Sequence, residues 1–240
     1  MKITKLEGYS LSSPYGDGNV FGQPLGVKSI GIIEIHTNSG LIGTGETYAG
    51  VYTPELVSDI AGFLSSYVVG KDPLDHDVVN KVLEIPFVSG SGLIRSVISA
   101  IDIALWDIKG QALNEPIFKL LSNSPRERVS VYASGGSVSF SSDEIRSDIK
   151  DILAKGFDAY KMRIGARSWP EDKVRVRAAR ECIGGDKELM IDAIMGTLPI
   201  PWDLATAKER LRDLACFRPC WVEEPLHPEK YSDYKSLRHQ

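Results

Sequence analysis

AYKMRIG (159–165), LMIDAIMG (189–196) and CWVEEPL (220–226) are the segments that decide the fold of this 240-residue chain. Each is a short apolar run that fits a buried strand, and charged segments of helical length separate them. A similar run, VSVYASG (129–135), precedes all three. Such strand–helix alternation predicts a parallel sheet with right-handed crossovers. The spacing fits a doubly wound sheet and a (β/α) barrel equally well.

The segments between these strands carry helix start and stop signals. Helices are expected over 141–156, 170–185 and 202–217. Ser141 or Ser142 offers an N-cap for the first of them, and Gly156 ends it. Four βα units are therefore predicted after Pro125.

The N-terminal half has a different pattern of predicted elements, in which strands come first and helices follow. KITKLEGYS (2–10), VKSIGIIEIHTN (27–38) and GLIGTGETY (40–48) predict three antiparallel strands, with a hairpin turn at 38–40. Helices are expected over 55–69, 74–85 and 93–113. The third is the clearest, because its apolar residues recur at helical spacing.

The loop between the first two predicted strands, SSPYGDGNVFGQPLG (12–26), is rich in glycine and proline. It also carries two aromatic residues that are expected to be exposed, Tyr15 and Phe21. Such a loop could close over a ligand, and a plain surface connection is the alternative.

The composition is that of an ordinary globular protein, with 42% hydrophobic and 25% charged residues. The formal net charge of −4 argues against nucleic-acid binding, which normally needs a basic face. No apolar run reaches the roughly 18 residues of a spanning helix, and the N-terminus lacks a signal peptide's apolar segment. We therefore expect no membrane partner and a cytoplasmic location. Cys182, Cys216 and Cys220 are too few for a disulfide framework and are expected to be buried free thiols.

Charged residues inside the apolar strands are the informative feature, because an unpaired buried charge is costly. Lys161 and Arg163 are two residues apart and should share one face of their strand. Asp192 lies on the next strand, and Glu223 and Glu224 on the last should point to opposite faces. Carboxylates at the carboxyl ends of neighbouring parallel strands suit a hard divalent cation such as Mg²⁺. Basic groups beside such a cation would bind a carboxylate substrate.

Purely structural ion pairs are the alternative to a metal site. Lys161 could pair with Asp192, and Arg163 with Glu224, without any metal. The sequence gives no sign of phosphate binding or of a serine nucleophile, because the chain has neither a phosphate-binding glycine motif nor a G-x-S-x-G elbow.

Taken together, the motifs resemble the mandelate racemase branch of the enolase superfamily. The stretches that carry the resemblance are VKSIGIIEIHTNSGLIGTGETY (27–48), AIDIALWDIKGQALNEPIFKLL (100–121), YKMRIG (160–165), MIDAIMG (190–196) and WVEEPL (221–226). The resemblance implies an α+β capping domain over 1–125, followed by a partial (β/α)7β barrel over 126–240. It also implies that segments 12–23 and 48–53 are specificity loops.

The same resemblance implies abstraction of the proton α to a carboxylate through an enediolate that Mg²⁺ stabilises. Asp192 matches the family's metal ligand on the third barrel strand, and Glu223 matches the ligand on the fourth. Lys161 matches the first lysine of the family's K-x-K motif. We expect Lys161 and Arg163 to be catalytic. The expected substrate-binding residues are Tyr15, Phe21, Tyr48 and Glu224.

Two positions depart from the family pattern. Arg163 stands where the family commonly has a catalytic lysine, and a guanidinium is a poor proton acceptor. Arg163 is therefore expected to clamp the substrate carboxylate or to hold developing charge. Ile194 stands where asparagine is common. The E-E-P motif favours the mandelate racemase and sugar-acid dehydratase groups.

The resulting prediction is a magnesium-dependent dehydratase of a sugar acid, with a small carboxylate as its substrate. Racemisation of a 2-hydroxy acid is the alternative, and a noncatalytic half-barrel that acts in oligomerisation or binding is another. The segment 231–240 falls within the fourth barrel helix, so we expect the chain to be a portion of a longer protein that forms a homo-oligomer. The third metal ligand, the general base and the particular acid are not specified by these residues.

Overall fold

Residues 1–15, 26–75, 77–85 and 92–238 are described by the computed structural model of the chain. The chain divides into two compact units, Met1–Glu127 and Arg128–Gln240. Each unit has a hydrophobic core of its own. Among the described helices, none has both the length and the apolar character needed to cross a membrane.

The first unit contains the three predicted antiparallel strands. They are β1 (Ile3–Pro14), β2 (Val27–Thr37) and β3 (Ile42–Thr47), hydrogen-bonded in the order β1-β2-β3. The hairpin between β2 and β3 turns at Gly40, whose φ of 85° favours glycine. β1 is longer than predicted, because residues 12–14 pair with the start of β2 instead of belonging to the loop. A hydrogen bond of 2.8 Å between the Ser12 and Ser29 hydroxyls supports this extension.

The helices of the first unit partly follow the sequence prediction. They are α1 (Ala49–Tyr52), α2 (Leu56–Val68), α3 (Asp77–Leu83), α4 (Gly92–Leu113) and α5 (Ile117–Leu120). α4 matches the predicted helix closely. The short helices α1 and α5 were not predicted. Thr53 looks like the N-cap of the helix expected over 55–69, but it donates its hydroxyl hydrogen to the Ala49 carbonyl and closes α1.

The sheet and α4 pack with their backbones in close approach. A Cβ atom on Gly43 would lie 2.1 Å from the Ala104 carbonyl oxygen, and one on Gly45 would lie 2.0 Å from that of Ala100. Only glycine permits this distance. Asp107 of α4 has a structural role, because its Oδ2 accepts a hydrogen bond of 2.9 Å from the Thr44 amide.

The second unit contains a parallel sheet in which β4 (Ala133–Ser134), β5 (Ala159–Arg163), β6 (Glu188–Asp192) and β7 (Val222–Glu223) are neighbours in chain order. The parallel pairing is the one predicted from the strand–helix alternation, and the sequential order agrees with the partial barrel that the family resemblance implies. The first and last strands are much shorter than the apolar runs that predicted them. Arg163 is in register with Asp192, and Asp192 with Glu223.

Helices follow the strands of the second unit. They are α6 (Ser142–Ala154), α7 (Trp169–Ile183), α8 (Leu204–Ala215) and α9 (Tyr231–Arg238). Ser141 caps α6 in a capping box with Glu144, as its position in the sequence predicts. The core contains buried residues of the strands and of α6, α7 and α8.

All three cysteines are free, but the expectation that they are buried is wrong. Cys216 and Cys220 are exposed, and Cys182 is partly buried. The two exposed residues lie at the end of α8 and in the turn before β7, outside the apolar stripe of any element.

Candidate functional site

Three charged side chains converge at the carboxyl ends of β5, β6 and β7. The Lys161 Nζ atom donates a hydrogen bond of 2.9 Å to Glu223 Oε1 and lies 3.5 Å from Asp192 Oδ2. The strand register brings the two carboxylates together, because Asp192 and Glu223 are the paired last residues of β6 and β7, and Lys161 reaches them from two residues before the end of β5. Lys161 and Asp192 are nearly buried, with side chains 11% and 9% exposed, whereas Glu223 is 36% exposed.

Each carboxylate in this cluster is also held by a neighbour. The Ile194 amide donates a hydrogen bond of 2.9 Å to Asp192 Oδ1, which leaves Oδ2 facing Lys161. The Trp221 indole donates one of 3.2 Å to Glu223 Oε2. Ile194 has a φ of 50°, which is unusual for a β-branched residue. The departure from the family's asparagine therefore lies at a strained position directly against Asp192.

The charges of the cluster reinforce one another. Burial acts to lower the pKa of Lys161, but its hydrogen bond to Glu223 and the charge of Asp192 outweigh burial and raise that pKa. Burial likewise acts to raise the pKa of Glu223, but the hydrogen bonds from Lys161 and Trp221 lower it overall. Lys161 is therefore a stable ammonium group and Glu223 a stable carboxylate near neutral pH.

Arg163 shares the face of Lys161, as predicted, but its charge partner differs from the predicted one. Its Nε atom lies 3.9 Å from Asp192 Oδ2, and its side chain is 41% exposed. The expected pair with Glu224 is not formed in the described part of the chain. Glu224 adopts a φ of 48°, which ends the strand alternation, and its Oε2 accepts a hydrogen bond of 3.4 Å from the Gly196 amide.

Two aromatic residues beside the cluster were missed by the sequence analysis. The Tyr132 ring lies 6.0 Å from Lys161 Nζ and makes an edge contact with Trp221 at a centroid distance of 5.5 Å. Trp221 precedes Glu223 by two residues, so strand alternation alone places both on one face. That signal could have identified Trp221. Tyr132 carried no comparable signal, because it lies before the two-residue strand β4.

A buried ion pair on α7 holds the loops that follow β4 and β5, and it was also missed. Arg175 donates hydrogen bonds to Asp172 Oδ1 at 2.7 Å and to the Arg163 carbonyl at 3.1 Å. It also donates to the carbonyls of Ser137 and Phe140. Both charged side chains are almost completely buried. Their partners are mostly backbone atoms, which a sequence pattern does not reveal.

The remaining predicted site residues lie in the first unit or outside the described residues. Tyr15 is exposed at the end of β1, and Lys28 lies over its ring. Tyr48 is 65% exposed and makes an edge contact with Tyr52, whose ring centroid lies 5.5 Å away. Phe21 is outside the residues that the structure describes. Substrate binding by Tyr15, Phe21 and Tyr48 stays a prediction.

The donor set at the strand ends fits a hard divalent cation. Asp192 and Glu223 supply carboxylate oxygens from adjacent strands, and both already face one shared cation, the Lys161 ammonium group. Mg²⁺ in proteins is commonly held by one or two carboxylates and retains several waters. These two residues would therefore hold the ion.

Comparisons with known proteins agree with this architecture. Residues 24–122 match the family model described as mandelate racemase/muconate lactonizing enzyme, N-terminal domain. Residues 144–240 match the one described as enolase C-terminal domain-like. Together the two matches cover most of the chain.

Among curated relatives, the chain is 32% identical over 222 residues to L-talarate/galactarate dehydratase of Salmonella typhimurium, covering 90% of this chain and 54% of the relative. It is 34% identical over 216 residues to D-galactarolactone cycloisomerase of Agrobacterium fabrum, covering 86% and 54%. The chain thus spans about half the length of the curated relatives it matches.

Among solved structures, the chain resembles a mutant L-talarate/galactarate dehydratase liganded with Mg and L-glucarate. The TM-score is 0.87 and the sequence identity 28%, over 99% of this chain and 61% of the other.

Proposed function

Because the chain belongs to the mandelate racemase/muconate lactonizing enzyme family of the enolase superfamily, we propose that it serves the magnesium-dependent dehydration of a sugar acid. The observation that carries this proposal is the Lys161–Asp192–Glu223 cluster at the strand ends. The curated relative that dehydrates talarate and galactarate supports the substrate class. The solved dehydratase with Mg and L-glucarate supports the metal.

Mg²⁺ held by Asp192 and Glu223 would stabilise negative charge on the substrate carboxylate after loss of its α proton. Lys161 would contribute positive charge to the same end of the substrate. Arg163 is half-exposed and suited to bind a carboxylate oxygen through its planar guanidinium. Glu224 would contribute to substrate binding through its free oxygen.

Proton abstraction needs a base, and neither Lys161 nor Arg163 suits that role. Lys161 lies between the two proposed metal ligands, and Arg163 is a guanidinium, which is a poor proton acceptor. We therefore assign both residues to charge stabilisation. Loss of the α proton and of the β-hydroxyl as water gives an enol, which becomes a 2-oxo-3-deoxy acid.

Racemisation of a 2-hydroxy acid is the second candidate, because it begins with the same proton abstraction and then returns a proton to the opposite face of the α carbon instead of expelling the β-hydroxyl. A noncatalytic barrel fragment that acts in oligomerisation or binding is the third. It is favoured by the ion pairs of Lys161, which satisfy both carboxylates without a metal. Assembly into a homo-oligomer and a cytoplasmic location stay predictions.

We also propose that the two units correspond to a capping domain and a partial barrel divided near residue 125. The antiparallel sheet of the first unit and the parallel sheet of the second support this division.

The test is incubation of the full-length protein that carries this chain with Mg²⁺ and galactarate or L-talarate in deuterated water. Dehydration predicts a 2-oxo acid that forms a semicarbazone, and Asp192→Asn should abolish it. Glu188→Gln, a change at the opposite end of β6, is the matched control and should retain it. Racemisation predicts deuterium at the α carbon of the recovered acid without any 2-oxo product. If the folded full-length protein gives neither a 2-oxo product nor deuterium incorporation, both enzyme proposals are contradicted.

A further inference from the structure

Three potential ligands meet on the outer face of the sheet in the first unit. Glu7 of β1 is directly opposite Glu34 of β2, and His36 follows Glu34 by two residues on the same face. The Glu7 Oε2, Glu34 Oε2 and His36 Nε2 atoms all lie within 4.8 Å of one another. This set, here called the outer-face triad, is separate from the strand-end cluster of the second unit.

The distances within the outer-face triad match those around a small metal ion. His36 Nε2 lies 3.1 Å from Glu7 Oε2 and 3.5 Å from Glu34 Oε2. Ligand atoms around a tetrahedral Zn²⁺ ion are about 3.3 Å apart, because each bond is about 2.0–2.1 Å long. Both distances from His36 therefore match ligand spacing, and the third distance is at most 4.8 Å.

His36 Nε2 gives a second indication. The atom is shielded from solvent, and although the Glu7 and Glu34 oxygens lie 3.1 and 3.5 Å away, it makes no well-directed hydrogen bond with any residue that the structure describes. Buried polar atoms nearly always have a well-directed partner. A metal ion seated between this nitrogen and the two carboxylate oxygens would supply it.

The second oxygen of each carboxylate is held by a neighbour, which orients the triad. Tyr9 donates a hydrogen bond of 2.8 Å to Glu34 Oε1. Lys5 contacts Glu7 Oε1. Such outer contacts are typical of ligands in metal sites. Two like charges directly opposite on adjacent strands would otherwise destabilise the sheet.

We propose that Glu7, Glu34 and His36 bind one divalent transition-metal ion, such as Zn²⁺, which fastens β1 to β2. An imidazole nitrogen with two carboxylates favours Zn²⁺ and its neighbours over Mg²⁺, which prefers oxygen ligands alone. Three protein ligands leave a fourth position for water. The proposal does not depend on the proposed function, because the two sites lie in different units and use different residues.

The test is a Zn²⁺ titration of the whole chain against a chromophoric chelator, with Mg²⁺ in excess so that oxygen-only sites are already filled. The wild-type chain is expected to take up one ion saturably. His36→Gln and Glu34→Gln should each weaken uptake by about tenfold or more, because each removes a ligand. Glu46→Gln removes a charge from an exposed position on neighbouring β3 and is the matched control, expected to change affinity less than twofold.

Two further measurements keep the result unambiguous. Cys216→Ser/Cys220→Ser should retain the uptake, because the exposed thiols are not ligands. Saturating Zn²⁺ should raise the melting temperature of the wild-type chain by about 5 °C, because the ion binds only the folded sheet. The shift should vanish in His36→Gln even if that variant is itself less stable. Absence of saturable uptake, equal uptake by His36→Gln, or loss of uptake in the cysteine variant would overturn the proposal.

Discussion

The two units differ in which polar groups they bury. Among the described residues, the buried polar side chains of the first unit are the hydroxyls of Ser29, Thr37 and Thr47. Those of the second unit are all charged: Lys161, Asp172, Arg175 and Asp192. Hydroxyls are satisfied by one or two hydrogen bonds, whereas a buried charge needs a partner of opposite sign. The first unit is therefore stabilised mainly by close packing, and the second carries electrostatic cost at its strand ends.

The buried charges of the second unit form two groups with different tasks. Lys161 and Asp192 face the open edge where chemistry is proposed. Arg175 and Asp172 lie on α7 and bind the backbone on which Arg163 and the neighbouring loops are placed. The first pair therefore supplies charge at the proposed reaction site, and the second pair holds the backbone that positions this site.

The largest effect expected from this contrast follows Arg175→Met. The variant leaves Asp172 as an uncompensated buried charge and deprives the carbonyls of Ser137, Phe140 and Arg163 of their donor. Breaking a buried pair in this way costs about 3–5 kcal/mol. Urea unfolding should show this loss. Arg177→Met changes an exposed arginine of the same helix and should stay within about 0.5 kcal/mol of wild type. Equal stability of both variants would refute the assigned role of Arg175.

A smaller effect is expected where the first unit depends on close packing. Gly45→Ala places a Cβ atom 2.0 Å from the Ala100 carbonyl oxygen, so α4 must move away from the sheet. Overpacking of this kind typically costs about 1–3 kcal/mol. Gly62→Ala is the control, because an added Cβ there meets no atom within 4 Å and improves the helix propensity of α2. The comparison would fail if Gly45→Ala were as stable as Gly62→Ala.

The smallest effect concerns a helix cap and its pH dependence. Asp203 accepts a hydrogen bond of 2.8 Å from the Thr206 amide, and hydrogen bonding by the side chain and the amide of Thr206 lowers the pKa of Asp203. A carboxylate with a lowered folded-state pKa adds stability above its ordinary pKa of about 3.9, and this stability is lost as the pH falls through the folded value. Asp203→Asn should keep the cap and reduce this acid dependence. Asp203→Ala should lower the melting temperature slightly at neutral pH. Thermal melts at pH 6 and pH 3 measure both effects, and an unchanged acid dependence in Asp203→Asn would contradict the assignment.

Much of this fold follows from the sequence. The strand–helix alternation predicts the parallel order of the second sheet, and the family matches confirm the resemblance carried by the motifs. Periodicity also places Lys161 and Arg163 on one face. The Arg163–Glu224 pair offered by the structural alternative is not formed among the described residues; Arg163 lies beside Asp192, and a left-handed backbone at Glu224 interrupts the strand alternation.

Other features were beyond a sequence pattern for physical reasons. Arg175 lies in a helix of mixed charge, and most of its partners are backbone carbonyls of distant loops. The outer-face triad depends on the exact register of β1 and β2, which brings Glu7 opposite Glu34. A sequence lists these residues but does not fix that register.

The central claim is that Asp192 and Glu223 form a magnesium site, and a calorimetric Mg²⁺ titration of the chain tests it most directly. The account predicts saturable binding that Asp192→Asn weakens at least about tenfold, because one of the two carboxylate ligands is lost. Glu188→Gln, at the other end of the same strand, should bind like the wild type. Absence of saturable binding, or equal binding by Asp192→Asn, would contradict the claim and leave Lys161, Asp192 and Glu223 as a structural ion-pair cluster.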